Sequence, residues 1–395
     1  MMDQTRIKVM AMEVQDYMVR MRRAFHENPE LSGEEYETRK LLISELEGMG
    51  VSYRVLKQGT GIIAFIEGKK PGKHRAIRAD IDGLPVQEEE YNLKQKKQCV
   101  SCKEGKSHAC GHDAHMAVLL GTIKVLKQLE DELCGTVYCC FEEGEETNCG
   151  VDAMLAALDE YPIDSCFALH VYAALEAGKI NVTPGPRMAG TVGIGLYVVG
   201  EAGHGSRPDQ AANPVVPLAH ILTQIDSCFV NQIDAEETVT ISIPQIEGSE
   251  TSNVIPERAY MAGTARYFKK EEGEKALKIV ETVAVNTAAN YRCSIEFAPR
   301  NKISLLPVVN DEVCTNHIQS RIAEICGEDV LADCDKWYAS ECYSQYLEKY
   351  PGVLGFLGIK NEKMGSGAAH HNGQFDIDES CLWLGVCAEV GFVLD

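Results

Sequence analysis

Apolar and polar positions alternate along this chain in two rhythms. At the start, Val14, Met18, Met21 and Phe25 fall at helical spacing among charged residues, which predicts an amphipathic helix through about residue 24. A second helix is predicted over 34–49, where Thr38, Leu41, Leu42 and Leu46 share one face and Gly50 supplies the stop. Apolar runs at 52–55, 61–66 and 75–79 read as strands, 116–129 as a helix and 135–141 as a strand. A helix over 152–158 and a short buried strand over 164–170 follow. Helices alternating with apolar strands predict an α/β sheet covered on both faces.

From about residue 187 the order changes. Strand 191–199, helix 214–228, strands 238–244 and 259–268, helix 272–289 and strand 293–297 spell βαββαβ, the ferredoxin-like unit. After Pro307 the helix-and-strand alternation resumes. The predicted fold is therefore α/β, with a larger domain of residues 1–186 and 306–395 and an inserted ferredoxin-like domain of 187–305. Crossings near 184–190 and Pro307 would be its hinge.

Composition narrows the class. Two domains suit 395 residues, and 45% hydrophobic with 25% charged residues is a globular balance. A formal net charge of -21 argues against nucleic acid as the partner, because phosphate binding needs a basic surface. No run of 18 apolar residues predicts a membrane span, and the N-terminus lacks a signal-peptide pattern, which favours the cytoplasm. Many of the 16 cysteines, among them Cys139, Cys140, Cys166, Cys381 and Cys387, sit in apolar runs, where a reduced thiol behaves as a small hydrophobe. A disulfide framework is not expected.

Several local patterns carry chemistry. In HACGHDAH (108–115), Cys110 and His112 are two apart, so in an extended or turn segment both side chains can face one way and offer a thiolate and an imidazole to a metal. Taken alone, such a pair also fits a buried structural Cys and His. The strand ending at Phe141 delivers Glu142 and Glu143, adjacent carboxylates where α/β sheets place their sites. A metal would let one ligate while its neighbour serves as general base; the alternative is a solvated acidic loop, since Glu145 and Glu146 follow Gly144. His170 follows the strand around Cys166–Ala168, and His370 and His371 follow the glycine-containing stretch GSGAA. Asp80 and Asp82 in IRADIDGLP end another strand; turn chemistry accounts for such residues, as does a carboxylate orienting a metal ligand.

FHENPELSGEE, IRADIDGLPVQEE, HACGHDAH, FEEGEE, ALHV, GHGSRPD, SNVIPE, GTARYF and HHNGQFDIDE occur in one order over most of the chain. Together they resemble the aminoacylase/hippurate-hydrolase branch of the dinuclear metallopeptidases. The resemblance implies hydrolysis of the amide bond of a small N-acyl amino acid by a metal-activated water. It implies two divalent ions, Mn2+ or Zn2+ with Co2+ or Ni2+ as alternatives, held by Cys110, His112, Glu143, His170 and His371. Glu142 matches the general base and Asp82 the carboxylate behind the metals. In the inserted domain, His204 and Asn253 match residues that hold the substrate, and Arg266 is a carboxylate partner because a guanidinium binds two oxygens at once. The family commonly dimerises through that domain, which implies a homodimer and a lid.

Departures touch substrate preference more than catalysis. GEETNCG follows the paired glutamates where relatives often carry a Gly-rich stretch, Cys139 and Cys140 stand where Gln and Pro are frequent, and Cys342 takes an Asp place. Cys99 and Cys102 in CVSC read as an ordinary loop. The competing functions are a metal-dependent carboxypeptidase or dipeptidase using the same site, a non-catalytic metal or ligand sensor, and a cysteine-based redox protein.

Overall fold

A computed structural model describes residues 4–394. In chain order it contains α1 (Gln4–Glu13), α2 (Gln15–His26), α3 (Tyr36–Gly48), β1 (Ser52–Val55), β2 (Ile62–Glu67), β3 (Lys70–Asp80), α4 (His112–Gln128), β4 (Cys134–Glu142), α5 (Val151–Leu158), β5 (Ser165–Glu176) and β6 (Ile180–Asn181). Then follow β7 (Gly190–Val199), α6 (Val215–Gln232), β8 (Val239–Glu247), β9 (Arg258–Tyr267), α7 (Lys270–Ala289) and β10 (Ser294–Phe297). The chain continues through α8 (Glu312–Cys326), β11 (Gly352–Lys360) and α9 (Leu382–Val393).

By internal contacts the chain divides into two compact units. One comprises Met1–Gly185, Val309–Asp335 and Gln345–Asp395, the other Pro186–Val308 and Lys336–Ser344. The first holds a seven-stranded sheet in the order β1-β2-β4-β3-β5-β11-β6. Its centre is parallel: β3 pairs with β4 and β5, and β5 with β11. The second unit holds β8-β9-β7-β10, all antiparallel, with α6 and α7 packed on it. That is the ferredoxin-like order expected for βαββαβ.

Burial explains why α4 anchors the first unit. From His112 to Ile123 every residue is buried, so the helix is covered on all sides, by β3, β4 and β5 and by α2 and α9. Its charged residues are paired where they are buried. Asp113 Oδ2 is ion-paired with Arg22, 2.7 Å from its Nε, and bonds His26 Nδ1 at 2.7 Å; His26 Nε2 and Lys97 Nζ both lie 2.9 Å from Glu88 Oε1. Among the described residues no helix is long and apolar enough to cross a membrane.

Two expectations change and a third is narrowed. The opening helix is two helices, α1 and α2, parted at Val14. His170 does not follow a strand but lies inside one, because pairing with β11 carries β5 on to Glu176. Of the extended or turn segment expected around Cys110 and His112, the structure has the turn, and His112 then starts a helix. Gly111 makes that possible: its φ is +90°, and a Cβ there would meet Val171 Cγ2 at 2.3 Å, so both backbone and space demand glycine.

The buried ion network has a pH consequence. Burial opposes ionisation of Glu88, but the His26 hydrogen bond and Lys97 outweigh it and hold its carboxyl at about 2, against 4.5 ordinarily. Its folded pKa is depressed, so its contribution to stability is fully present above pH 4.5 and is lost as pH falls through about 2. Glu88→Gln is therefore expected to lower the melting temperature at pH 7, with the gap to the parent protein narrowing from pH 4.5 downward. A gap that is constant down to pH 2 would refute this account.

Candidate metal centre

The tight turn at Gly111 sets Cys110 and His112 side by side, both buried. His112 Nδ1 lies 3.0 Å from the Asp82 carbonyl oxygen and 3.1 Å from Asp82 Oδ1. Both atoms only accept, so Nδ1 carries the proton and donates it. Nε2 is buried with no hydrogen-bond partner; the nearest carboxylate oxygens, Asp80 Oδ2 and Glu146 Oε1, are 3.7 and 3.8 Å away. His170 donates from Nδ1 to the Val171 carbonyl at 2.6 Å, which leaves Nε2 as the lone-pair nitrogen, 3.7 Å from Cys110 Sγ. The donor atoms of Cys110, His112 and His170 lie within 4.8 Å of one another.

The structure places the two expected glutamates among other partners. Glu142, expected as general base, is fully buried at the end of β4 and committed elsewhere. Its Oε1 accepts from Arg78 Nη2 at 2.7 Å and Nε at 3.1 Å, and its Oε2 from the Tyr346 hydroxyl at 2.5 Å. Glu143, expected as a ligand, accepts from the Thr60 hydroxyl at 2.7 Å and the Gly61 amide at 3.0 Å. Gly144 then turns the chain at φ +62°, where a Cβ would meet Cys149 Sγ at 2.1 Å, and a short 3-10 turn, Glu145–Thr147, presents the next pair. Glu146 Oε1 is buried without a hydrogen-bond partner, 3.2 Å from His371 Nε2. One oxygen each of Glu145 and Glu146 lies within 4.8 Å of a His112 ring nitrogen and of the other. The carboxylates that the fold groups with Cys110, His112 and His371 are thus three residues further on than the strand-end rule indicated. The signal was present in the sequence as a second Glu pair after the glycine.

Of the paired histidines, His371 joins Cys110 and Glu146 in one candidate ligand group. Its backbone sits at φ +61°, a conformation that non-glycine residues rarely hold without support. The support is visible: His371 N donates to the Ala109 carbonyl at 2.9 Å, and Lys97 Nζ and the Glu89 amide grip the Gly373 carbonyl at 2.8 and 2.9 Å. His370 is half-buried beside them, its Nε2 accepting from the Ala173 amide at 3.1 Å. Burial and then the His371 ring push its pKa down to about 3, so it stays neutral.

The chemistry of this donor set fits divalent metal. Burial, and after it the Glu146 carboxylate, push the Cys110 thiol up, away from the thiolate a metal needs. Burial disfavours charge on His112, but Asp80 and then Asp82 outweigh it and hold the ring above its ordinary pKa. Yet a proton on Nε2 would meet no well-placed oxygen, Asp80 Oδ2 and Glu146 Oε1 standing off at 3.7 and 3.8 Å. A cation resolves both problems, by ionising the thiol and by using the lone pair of Nε2.

Asp82 stands behind this group. Its Oδ1 faces His112, while its Oδ2 accepts from the Ser32 hydroxyl at 2.6 Å and the Glu146 amide at 3.1 Å. The remaining expected residues lie in the second unit. His204 is exposed, bonded through Nδ1 to the Ser206 hydroxyl at 2.8 Å, and its strand pairs with Val254. Asn253, also exposed, accepts from the Gly205 amide at 2.8 Å, so the unit brings those two segments together. Arg266 on β9 donates to the Thr191 hydroxyl and, at 2.6 Å, to Ser340 Oγ.

The comparisons with known proteins agree with this geometry. The profile of peptidase family M20/M25/M40 matches residues 76–393. The chain belongs to that family. It is 34% identical over 367 residues to the N-acetylcysteine deacetylase of Bacillus subtilis (strain 168), covering 92% of this chain and 93% of the relative. To thermostable carboxypeptidase 2 of Saccharolobus solfataricus it is 32% identical over 383 residues, covering 95% and 94%. Among solved structures, a dinuclear metal-binding peptidase of the M20 family from Bacillus subtilis superposes with a TM-score of 0.83 at 30% identity, covering 96% of this chain and 98% of that one. The family member described here is accordingly a metal-dependent hydrolase with the dinuclear-metal peptidase fold.

The shifted glutamate assignment is open to direct measurement. Glu146→Ala should weaken metal binding at least about 10-fold, whereas Glu143→Gln should leave metal content near the parent level. Elemental analysis after dialysis against limiting metal decides it, and the opposite ranking would restore Glu143 as the ligand.

Proposed function

We propose that this family member hydrolyses the amide bond of small N-acyl amino acids, with two divalent ions held by Cys110, His112, Glu146, His170 and His371 and with Glu145 as general base. One observation carries the reading: the buried, hydrogen-bond-orphaned His112 Nε2 and Glu146 Oε1 face each other at 3.8 Å beside Cys110. A thiolate, imidazoles and a carboxylate suit Zn2+, and also Mn2+, Co2+ or Ni2+ where those are available. The ions supply Lewis-acid polarisation of the scissile carbonyl and an acidified water. Glu145 takes a proton from the attacking water and returns it to the departing amine nitrogen. Asp82 keeps the His112 ring oriented throughout by holding its Nδ1 proton.

In the second unit, His204 and Asn253 are proposed to hold the substrate carbonyl or carboxylate, and Arg266 to pair with the carboxylate. The described partners of Arg266 are hydroxyls rather than an acid, which leaves its charge for a ligand. A homodimer formed through this unit is part of the proposal. It is supported by the edge position of β8 and by apolar Val230 and Ile246, exposed at 86% and 50%. A cytoplasmic setting is supported by the sixteen free thiols, which reducing compartments preserve. Cleavage of small peptides is the second reading, favoured by the similarity to a carboxypeptidase.

Purified protein given Zn2+ or Mn2+ should cleave N-acyl amino acids in preference to dipeptides, and a chelator should abolish turnover. Preference for dipeptides would favour the carboxypeptidase reading, and chelator-resistant cleavage would sink both. Glu145→Gln should keep its metal and lose about 100-fold or more in turnover, while Glu142→Gln should act on stability instead. Equal turnover of Glu145→Gln and the parent enzyme at full metal loading would remove Glu145 from the mechanism. Arg266→Ala should raise KM for substrates carrying a free carboxylate and spare their amides, as comparison of the two substrate classes will show.

A further inference from the structure

Asp80, His112 and His115 form a second buried group of metal-type side chains next to the first. The proposed reaction gives His115 no task. Its ring is nevertheless fully engaged. The Val171 amide nitrogen, which can only donate, lies 2.9 Å from His115 Nε2, so that nitrogen holds the lone pair and spends it on the backbone. The proton is then on Nδ1, which donates to Asp80 Oδ1 at 2.6 Å. Neither nitrogen is left for a cation. Val171 in turn accepts the Nδ1 proton of His170 at its carbonyl, 2.6 Å away, and the two imidazoles meet edge to face with centroids 4.6 Å apart.

The line continues on the other side. Asp80 Oδ2 accepts from Arg78 Nη1 at 2.7 Å, Arg78 Nη2 donates to Glu142 Oε1 at 2.7 Å, and the Tyr346 hydroxyl donates to Glu142 Oε2 at 2.5 Å. All of these side chains are buried. Each link has one direction of donation, so the whole line has a single consistent proton assignment that ends at His170.

Resting on the metal-dependent reading above, we infer that His115, braced by Asp80 and Arg78, is a positioning residue that fixes the backbone at Val171 and through it the tautomer and orientation of the ligand His170, and that it is not itself a metal ligand. The Asp80–His115 pair serves His170 as Asp82 serves His112. Each of the two buried imidazole ligands thus has its own carboxylate, one in direct contact and one through a relay.

The test uses the full-length holoenzyme and Co2+ alone as probe. His115→Ala should still reach the parent number of metal equivalents at saturation. Its affinity, measured by competition with a chelator, should fall about 10–100-fold, with an altered Co2+ absorption spectrum and with kcat reduced more than KM. His115→Gln, whose amide can accept from Val171 and donate to Asp80, should recover most of that loss. Saturation at one equivalent fewer than the parent would make His115 a ligand and overturn the inference. Unchanged affinity, spectrum and kcat would overturn it equally. Where His115→Ala does not fold, His115→Asn, which is too short to span both partners, is read by the same criteria. Failure of the parent enzyme to bind Co2+ or to show chelator-sensitive turnover would instead refute the metal-dependent reading, and needs no variant to be seen.

Discussion

The centre depends on one carboxylate with more donors than a surface residue would ever gather. Asp82 receives the His112 ring on one oxygen and both the Ser32 hydroxyl and the Glu146 amide on the other. These donors come from the start of α4, the loop before α3 and the turn after β4. Burial would raise the Asp82 pKa, but the hydrogen bonds from His112 and Ser32, with the attraction of the His112 ring, outweigh it and lower the pKa, so the group stays ionised. An ionised, fully bonded carboxylate at this depth fixes three chain segments against one another. It can do so only because β3 and β4 run parallel in register, with Asp80 opposite Glu142, and β3 runs beside β5 with Arg78 opposite Ala168. The sheet brings the motifs to one edge, and Asp82 sets their final positions.

That same register explains why the acidic pair was read three residues early. A strand-end rule selects the first charged residues after the apolar run, and Glu142 and Glu143 qualify. But Glu142 still belongs to β4, where its side chain meets Arg78 from the neighbouring strand. Arg78 holds two carboxylates, Asp80 and Glu142, and Tyr346 supplies a further donor. Without these partners a buried Glu142 would be costly; with them it is a structural ion. The partners lie 64 and 204 residues away along the chain, so periodicity could not reveal them. Gly144, by contrast, was legible: a glycine between two Glu pairs marks a left-handed turn that separates their roles.

Much of the fold was visible in its rhythms. The βαββαβ order of the second unit follows from the alternation of apolar runs, because its sheet packs on α6 and α7 and each element carries its own apolar pattern. The motif FHENPELSGEE shows the opposite case. Its pattern was plain and its purpose hidden. Glu30 accepts the Glu37 and Thr38 amides at the start of α3, Glu35 holds the Gly33 and Gly144 amides, and His26 bonds Asp113 of HACGHDAH. The segment is a scaffold for the metal-site loops, built from hydrogen bonds to residues that only the folded chain brings near. Cys110, His112, His170 and His371 were legible as candidates because their chemistry is rare at such spacings, whereas His115 carries the same letter and is told apart only by what its two nitrogens touch.

The balance of charge makes the final point. Asp80, Asp82 and Glu142 are buried, and Glu145 and Glu146 lie close by, yet the positive groups described beside these five carboxyls are Arg78 and a His112 ring held above its ordinary pKa. His115 cannot compensate, because a ring that accepts the Val171 amide proton is neutral. Burial holds His170 well below its ordinary pKa, so it is neutral too. The surplus of negative charge therefore falls on the space bounded by Cys110, His112 and Glu146, where His112 Nε2 and Glu146 Oε1 make no hydrogen bond. A proton on His112 Nε2 would stand 3.7 and 3.8 Å from the Asp80 and Glu146 oxygens, too far for a good hydrogen bond. Divalent cations neutralise it while using those same lone pairs, and for that reason the folded arrangement of carboxylates and the metal requirement of the reaction are one physical fact.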